Sequence, residues 1–458
     1  MSDHNFDVVI LGGGSGGYAA ALRSAQLGLS VALIERDKLG GTCLHRGCIP
    51  TKALLHSAEV ADVTREAATY GIQATLQGVD MPAVNKYRDG IIERLYKGLS
   101  GLVSSKAITL VAGEGRMVGP KTIAVGADTY TGKNVVLATG SYSKTIPGLE
   151  LQGRFLDSEQ ALKLDSVPTS VILLGGGVIG VEFASIWKSL GAEVTIVEGL
   201  PTLVPNEDPS VSKALERAFR KRGINFKTGV KFSSAAQGPN GVVVSLESGE
   251  QLEAEILLVA VGRGPNTAGF GYEEQGVKVD RGFVITNERL ETSVPGVYAA
   301  GDIVPGLQLA HRGFQQGIFI AEEIAGKRPA VIDELGIPKV TYCEPEIASV
   351  GLSEPKAAEV YGAENISVYE YNLGGNGKSQ ILGTAGFIKL IRRNNGPLIG
   401  IHMIGSRVGE QIGEAQLIVN WEAYPEEVAS LIHAHPTQNE ALGEAHLALA
   451  GKPLHAHA

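Results

Sequence analysis

Cysteine is scarce. In 458 residues it occurs three times, as Cys43, Cys48 and Cys343, too few for the disulfide framework of a small secreted domain. Positive charge is short as well: 40 Lys and Arg face 49 Asp and Glu, the net charge is −9, and no basic run offsets it. Nucleic acid is therefore not an expected partner, because phosphate backbones are held by clustered cations. Long apolar runs are missing too. No uncharged stretch approaches the roughly 18 to 20 residues that cross a bilayer. The opening MSDHNFDVVILGGG enters a strand pattern without a charged lead, an apolar signal core or an Arg/Ser-rich transit stretch. These absences predict a cytoplasmic protein with no membrane attachment. Glycine, by contrast, is abundant at 60 residues, beside 44% hydrophobic residues, which suits a large, turn-rich α/β protein. The length suggests about three domains.

The first glycines sit in VVILGGGSGGYAAALRSAQLGLSVALIE, an apolar run, a turn, a small-residue helix and a second apolar run ending in an acid. Gly12, Gly14 and Gly17 fit G-x-G-x-x-G, and Glu35 closes the unit. One glycine permits the tight turn, one lets backbone amides approach a pyrophosphate, and one allows the helix to pack against the strand. The helix N-terminus adds its partial positive charge, and Glu35 can accept hydrogen bonds from ribose hydroxyls. A lone fingerprint of this kind is weak evidence. Here VILLGGGVIGVEFASIWKSLGAEVTIVE repeats it at one constant offset, with Gly175, Gly177, Gly180 and Glu198 in the same places. Two dinucleotide sites on one chain follow. Glu198 would bond the free ribose hydroxyls of NAD and repel the phosphate of NADP, and GLPTLVP after it brings no arginine or lysine. Two such sites suggest a flavin and a nicotinamide in one electron path.

Cys43 and Cys48 stand five apart in GGTCLHRGCIPTKALL. In a regular helix that spacing is about 7.5 Å along the axis, beyond the ~7 Å Cα separation a disulfide tolerates. Bridging them requires a distorted segment, and Gly47 and Pro50 are residues that help provide one. A zinc site would need more ligands than His45 and His56, the two histidines nearby. A structural disulfide would close too short a loop to constrain the unfolded chain much. No metal site is expected.

GGTCLHRGCIPTK resembles the redox-active segment of the pyridine nucleotide–disulfide oxidoreductases. The resemblance extends over nearly the whole chain, through ATG at 138–140, the second nucleotide unit, GRGPN at 262–266, TSVPGVYAAGD at 292–302 and HAHPTQNE at 433–440. It implies FAD at the first unit and NAD at the second. Cys48 would then lie against the flavin and Cys43 would exchange disulfides with substrate, while Lys52, near the reactive flavin edge, pairs with Glu182. Asp302 would bond the ribityl chain, and Thr42, Gly115, Thr139, Gly140, Ser141, Leu309, Ala310 and His311 would line the same cofactor. On the NAD side, Val230 and Gly262 join the glycines, Glu182 and Glu198. His435 would be the base that removes thiol protons, oriented by Glu440, with His433 a secondary candidate. The family's base reaches the dithiol of the other subunit, so a homodimer is part of the expectation. His45-Arg46 stands where many relatives carry Asn-Val; Arg46, if near the thiols, would favour thiolate.

The resemblance further implies oxidation of protein-bound dihydrolipoyl groups, with electrons passing through a Cys43–Cys48 disulfide and FAD to NAD. The partners would be the dihydrolipoyl acyltransferase core and lipoyl domains of 2-oxo acid dehydrogenase complexes. Rivals are other disulfide reductases of the family. Glutathione-type enzymes should prefer NADP, and mercuric-type enzymes need a C-terminal cysteine pair that this tail lacks. A non-catalytic binding subunit is the remaining reading, and retention of both thiols, both fingerprints and the His–Glu pair argues against it.

The expected fold is α/β: two doubly wound, Rossmann-like dinucleotide-binding domains and a C-terminal α+β dimerisation domain. The boundaries are placed at 1–147 (FAD), 148–268 (NAD), 269–336 (a return to the FAD site) and 337–458 (interface). YCEPEIASVGLSE, ISVYEYNL and GFIKLIRR alternate as antiparallel strands do. Cys343 is expected as a small buried thiol, and His455 and His457 as part of an exposed terminus.

Overall fold

The two apolar runs that open the repeated units become central strands. In the computed structural model, which describes residues 2–456, Asp3–Leu11 pairs in parallel with Val31–Glu35 and with Asp128–Leu137. Val8, Val9 and Ile10 are fully buried, as continuous runs in a sheet covered on both faces should be. Thr109–Ala112 lies outside Val31–Glu35, and Thr122–Val125 with Gly115–Gly119 extends the other side as an antiparallel addition. Much later in the chain, Val297–Ala299 returns and pairs in parallel with Asp128–Leu137. Helix Ala310–Ile324 then packs on helix Ser15–Gln26, at a distance so short that a Cβ on Gly317 would lie 2.3 Å from the Gly16 carbonyl oxygen.

The second unit repeats the plan. Asn225–Lys227, Glu193–Val197, Ser170–Leu174, Ile256–Val259 and Phe155–Leu156 form an all-parallel sheet in that order. An antiparallel sheet of Phe232–Gly238, Gly241–Leu246 and Gln251–Ala254 covers it, Val242 and Val244 sharing a core with Ile172 and Leu174.

From residue 339 the order of the sheet is Lys339–Thr341, Glu346–Gly351, Leu398–Gly405, Phe387–Arg393 and Ile366–Asn372, antiparallel throughout. Helices Val408–Asn420 and Glu440–Leu449 pack on it. Cys343 is buried at 1% exposure. His455 is exposed, as expected of the tail, while its backbone N–H donates to Glu444 and its ring bonds the same carboxylate at 2.9 Å. His457 lies outside the described residues.

Candidate active site

The two glycine loops match residue for residue. Gly12 and Gly175 hold φ of +104° and +108°, in the region that side chains avoid, and a Cβ on either would meet a carbonyl oxygen at 2.2 and 2.4 Å. Gly17 and Gly180 are tighter still: a Cβ on either would lie 1.8 or 1.9 Å from the carbonyl oxygen of those same glycines. Gly14 and Gly177 differ in kind. A Cβ there would meet nothing within 4 Å, so each leaves an open cradle at the start of a helix whose cap no side chain fills. Orphan N–H groups beside free space are what a pyrophosphate needs. Glu35 accepts from the Gly13 and Asp37 amides at 2.7 and 2.8 Å, and Glu198 from Gly176 and Leu200 at 2.6 and 2.7 Å. Val230 donates its N–H to the Glu198 carbonyl, and Gly262, at φ +101°, is exposed.

The dithiol sits at a helix break. Gly41–Arg46 is one helix and Cys48–Glu66 the next, with Gly47 between them at φ −141°, ψ −104°. Pro50 falls in the first turn of the second helix, where its missing N–H costs nothing. The Thr42 carbonyl lies against Gly47, and Thr51 donates its N–H and its hydroxyl to the Gly47 carbonyl, at 3.0 and 2.7 Å. The break brings the sulfurs together as free thiols, Cys43 donating a hydrogen bond to Cys48. That bond, helped by the Lys52 ammonium and opposed by burial, brings Cys48 down to about 7. Cys43 is pushed up by the same bond and by burial. The pair is thus asymmetric, with Cys48 the thiolate.

Lys52, one turn beyond Cys48, bonds both oxygens of buried Glu182 at 2.9 and 2.8 Å. Burial pulls the ammonium down, but the Glu182 carboxylate outweighs it and holds Lys52 above its ordinary range. Nearby, Asp302 accepts from the Ser141 hydroxyl at 2.5 Å, and Ser141 in turn accepts from Arg263 at 2.7 Å. Thr139 spends its hydroxyl on the Asn266 carbonyl at 2.6 Å, so it can offer a cofactor only its backbone, beside Gly140 at φ +75°. Gly115 is packed inside the first domain, with Leu11 and Ile123 side chains where a Cβ would be. Leu309 and Ala310 start helix Ala310–Ile324, and His311 bonds the Pro338 carbonyl at 2.8 Å.

Arg46 does not act on the thiols. It forms an ion pair with Asp37 at the surface, and the side chains that bring Cys48 down are Cys43 and Lys52. The expectation that it favours thiolate is corrected: Cys43 and Lys52 do that.

His435 bonds Glu440 through Nδ1 at 2.7 Å, and the Thr437 N–H fixes the other Glu440 oxygen at 2.6 Å. Burial raises the Glu440 carboxyl, and the two hydrogen bonds together overcome it, leaving it below its ordinary range. With Nδ1–H donated to Glu440, Nε2 of His435 carries the free lone pair. The His435 side chain is 77% exposed, and neither thiol is among its hydrogen-bond partners in this chain. His433 faces inward to Glu414 instead.

Residues 6–317 match the family model described as pyridine nucleotide-disulphide oxidoreductase, and residues 337–446 match that family's dimerisation domain. The chain belongs to the pyridine nucleotide–disulfide oxidoreductases. It is 39% identical to the dihydrolipoyl dehydrogenase of Bacillus subtilis over 98% of this chain and 99% of that one. To the dihydrolipoyl dehydrogenase of Thermus scotoductus it is 38% identical over 98% of each. Among solved structures, LpdA of Mycobacterium tuberculosis has a TM-score of 0.90 at 26% identity, covering 98% of this chain and all of that one.

As in the family, the cofactors of this oxidoreductase are FAD and NAD, and the two open cradles with their acid partners fit them. Sequence reasoning passed over two residues of the site. Arg263 lies inside GRGPN, a motif already singled out, and it holds Ser141 against Asp302. Tyr342 places its ring 4.7 Å from the Lys52 ammonium, and its N–H donates to Glu182 at 2.9 Å. Its position next to Cys343 was the available signal. Among the described residues no group could hold a metal, and no helix is long and apolar enough to cross a membrane.

Proposed function

We propose that this chain oxidises dihydrolipoyl groups carried by a partner protein and reduces NAD. The observation that carries the reading is the asymmetric dithiol beside the Lys52–Glu182 pair. In the oxidised enzyme a substrate thiolate attacks the Cys43 sulfur of the Cys43–Cys48 disulfide. The S–S bond breaks, a mixed disulfide forms on Cys43, and Cys48 leaves as the thiolate that Lys52 favours. Nε2 of His435 takes the proton from the second substrate thiol. That thiolate closes the substrate's own disulfide and releases Cys43, which receives a proton back. Two electrons now reside in the dithiol. Bound FAD supplies a two-electron relay from this dithiol to NAD.

His435 serves the thiols of a second copy in this reading, which makes the dimer catalytic. Its exposure supports that, as do uncovered apolar side chains of the same C-terminal part of the chain: Ile432 is 99% exposed, Trp421 75% and Leu431 61%. The partners are lipoyl domains and the dihydrolipoyl acyltransferase core of a 2-oxo acid dehydrogenase complex, as the full-length likeness to dihydrolipoyl dehydrogenases supports. The setting is cytoplasmic, where NAD and a cycling dithiol are compatible.

Turnover with dihydrolipoamide and NAD, run beside NADPH with glutathione disulfide, tests the reading. NAD-linked turnover that vanishes in Cys48→Ser is expected. No lipoamide activity with brisk NADPH-dependent disulfide reduction overturns it.

A further inference from the structure

The His435–Glu440 pair rests on a second imidazole–carboxylate layer that no part of the reaction yet uses. His433 bonds Glu414, on helix Val408–Asn420, through Nε2 at 2.8 Å. The other oxygen of Glu414 accepts from the Asn439 side chain at 2.6 Å. Asn439 is the residue from which helix Glu440–Leu449 begins, and Glu440 follows it. One carboxylate therefore ties down both sides of the loop that presents His435. Gly443 makes room for this: a Cβ there would lie 2.5 Å from Nδ1 of His433. The His433 side chain is 13% exposed where that of His435 is 77%, so the two imidazoles divide the loop between an inner and an outer layer. The loop is closed from within as well, the Thr437 hydroxyl donating to the Ala434 carbonyl at 2.7 Å.

We infer that Glu414, with His433 and Asn439, is a positioning group for the catalytic base, holding Glu440 and His435 in register before a second subunit arrives. The inference rests on the reading of His435 as the base. A base that must reach across an interface gains most from being built beforehand, since an ångström of misplacement costs rate rather than binding. Glu414 touches neither thiol nor cofactor, so its loss should act on turnover and leave substrate affinity alone.

The test uses the FAD-loaded dimer. Glu414→Gln keeps the shape and removes the charge; Gly443→Ala keeps every polar group and presses a methyl on His433. In both, kcat for dihydrolipoamide oxidation is expected to fall about tenfold with KM for both substrates unchanged, a fraction of what a general base supplies. NADH oxidation by an artificial electron acceptor, which needs no base, should hold at the wild-type rate. The hydrogen-bonded imidazole N–H proton resonance of His435, assigned by its absence in His435→Gln, should shift or broaden in Glu414→Gln. Wild-type kcat with an unmoved His435 resonance overturns the inference, and so does a loss of kcat that merely tracks a lower melting temperature. If the wild-type protein has no lipoamide activity the functional reading fails instead, and the resonance still decides whether Glu414 positions His435.

Discussion

At the scale of single residues, the chemistry depends on two thiols behaving differently although they differ by one turn of chain. Cys43 supplies the hydrogen bond that brings Cys48 down to about 7, and burial works against it. Removing that donor should therefore matter more than removing the nearby charge. In reduced Cys43→Ala the Cys48 titration, followed by ultraviolet thiolate absorbance, is expected to move up toward the ordinary thiol value of 9.0, whereas Cys43→Ser, which retains an O–H donor, should keep most of the depression. A Cys48 midpoint unchanged in Cys43→Ala would remove the asymmetry from the mechanism. Lys52 is the second contributor, and Glu182 matters through it. Glu182→Gln leaves a half-buried ammonium short of its counter-charge; a fully buried pair broken this way costs about 3 to 5 kcal/mol, and the partial exposure of Lys52 brings the figure here to about 1 to 2 kcal/mol. A melting curve of the FAD-loaded protein measures it.

The elements show why one chain holds two dinucleotides without confusing them. The loops are alike in φ, in closeness and in the acid that ties each turn, so each acid can be removed alone. Glu198→Ala should raise KM for NAD about 10- to 100-fold, one or two hydrogen bonds to a charged group, while the protein stays yellow. Glu35→Ala should do the reverse, purifying with less FAD. Loss of FAD from Glu198→Ala would mean the assignment of the two loops is crossed. This part of the fold was legible in the sequence because a strand buried on both faces, a glycine turn and a helix leave a pattern that local residues fully determine. Leu398–Gly405 was not read, although it is central in its sheet: buried on both faces, its apolar run carries no alternation to betray a strand. The three strands between 232 and 254 were missed for the opposite reason, their outer faces being polar and their length short. In the site, Cys43, Cys48, Lys52 and Glu182 could be named because motifs carry them. Arg46 was misjudged because its pairing with Asp37 is set by the fold and not by a motif, and Glu414 was invisible because it lies outside every motif and meets His433 and Asn439 of HAHPTQNE only in the folded chain.

Over the whole molecule, buried titratable groups outside the dithiol site set the acid limit. Burial holds His446 down to about 4 from its ordinary 6.5, so the folded protein keeps this imidazole neutral where the unfolded chain would protonate it. Its contribution is complete above pH 6.5 and is lost as pH falls toward 4, about 3 kcal/mol in all. Asp208 follows in a lower window. Burial would raise it, but Lys389 and neighbouring donors bring it to about 2 from 3.8, so its stabilisation is present above 3.8 and disappears as pH drops through about 2. This second pair joins the helix beginning at Pro209 to strand Phe387–Arg393, at 2.8 Å, and so ties the NAD-side sheet to the interface sheet. His446→Leu should flatten the fall in melting temperature between pH 6.5 and 4 and leave the steeper loss below it. The assembly itself makes the sharpest demand. If His435 works on the thiols of a second copy, Cys48→Ser and His435→Gln damage different halves of the same site. Each variant alone should be nearly inactive. After the two are unfolded and refolded together, mixed dimers carry one site with both lesions and one with neither. Random pairing makes about half the dimers mixed with one good site in two, so about a quarter of wild-type activity should return. If His435 instead served its own thiols, every site would keep one lesion and mixing would restore nothing. Activity measured before and after refolding, with each variant refolded alone as the control, separates the two.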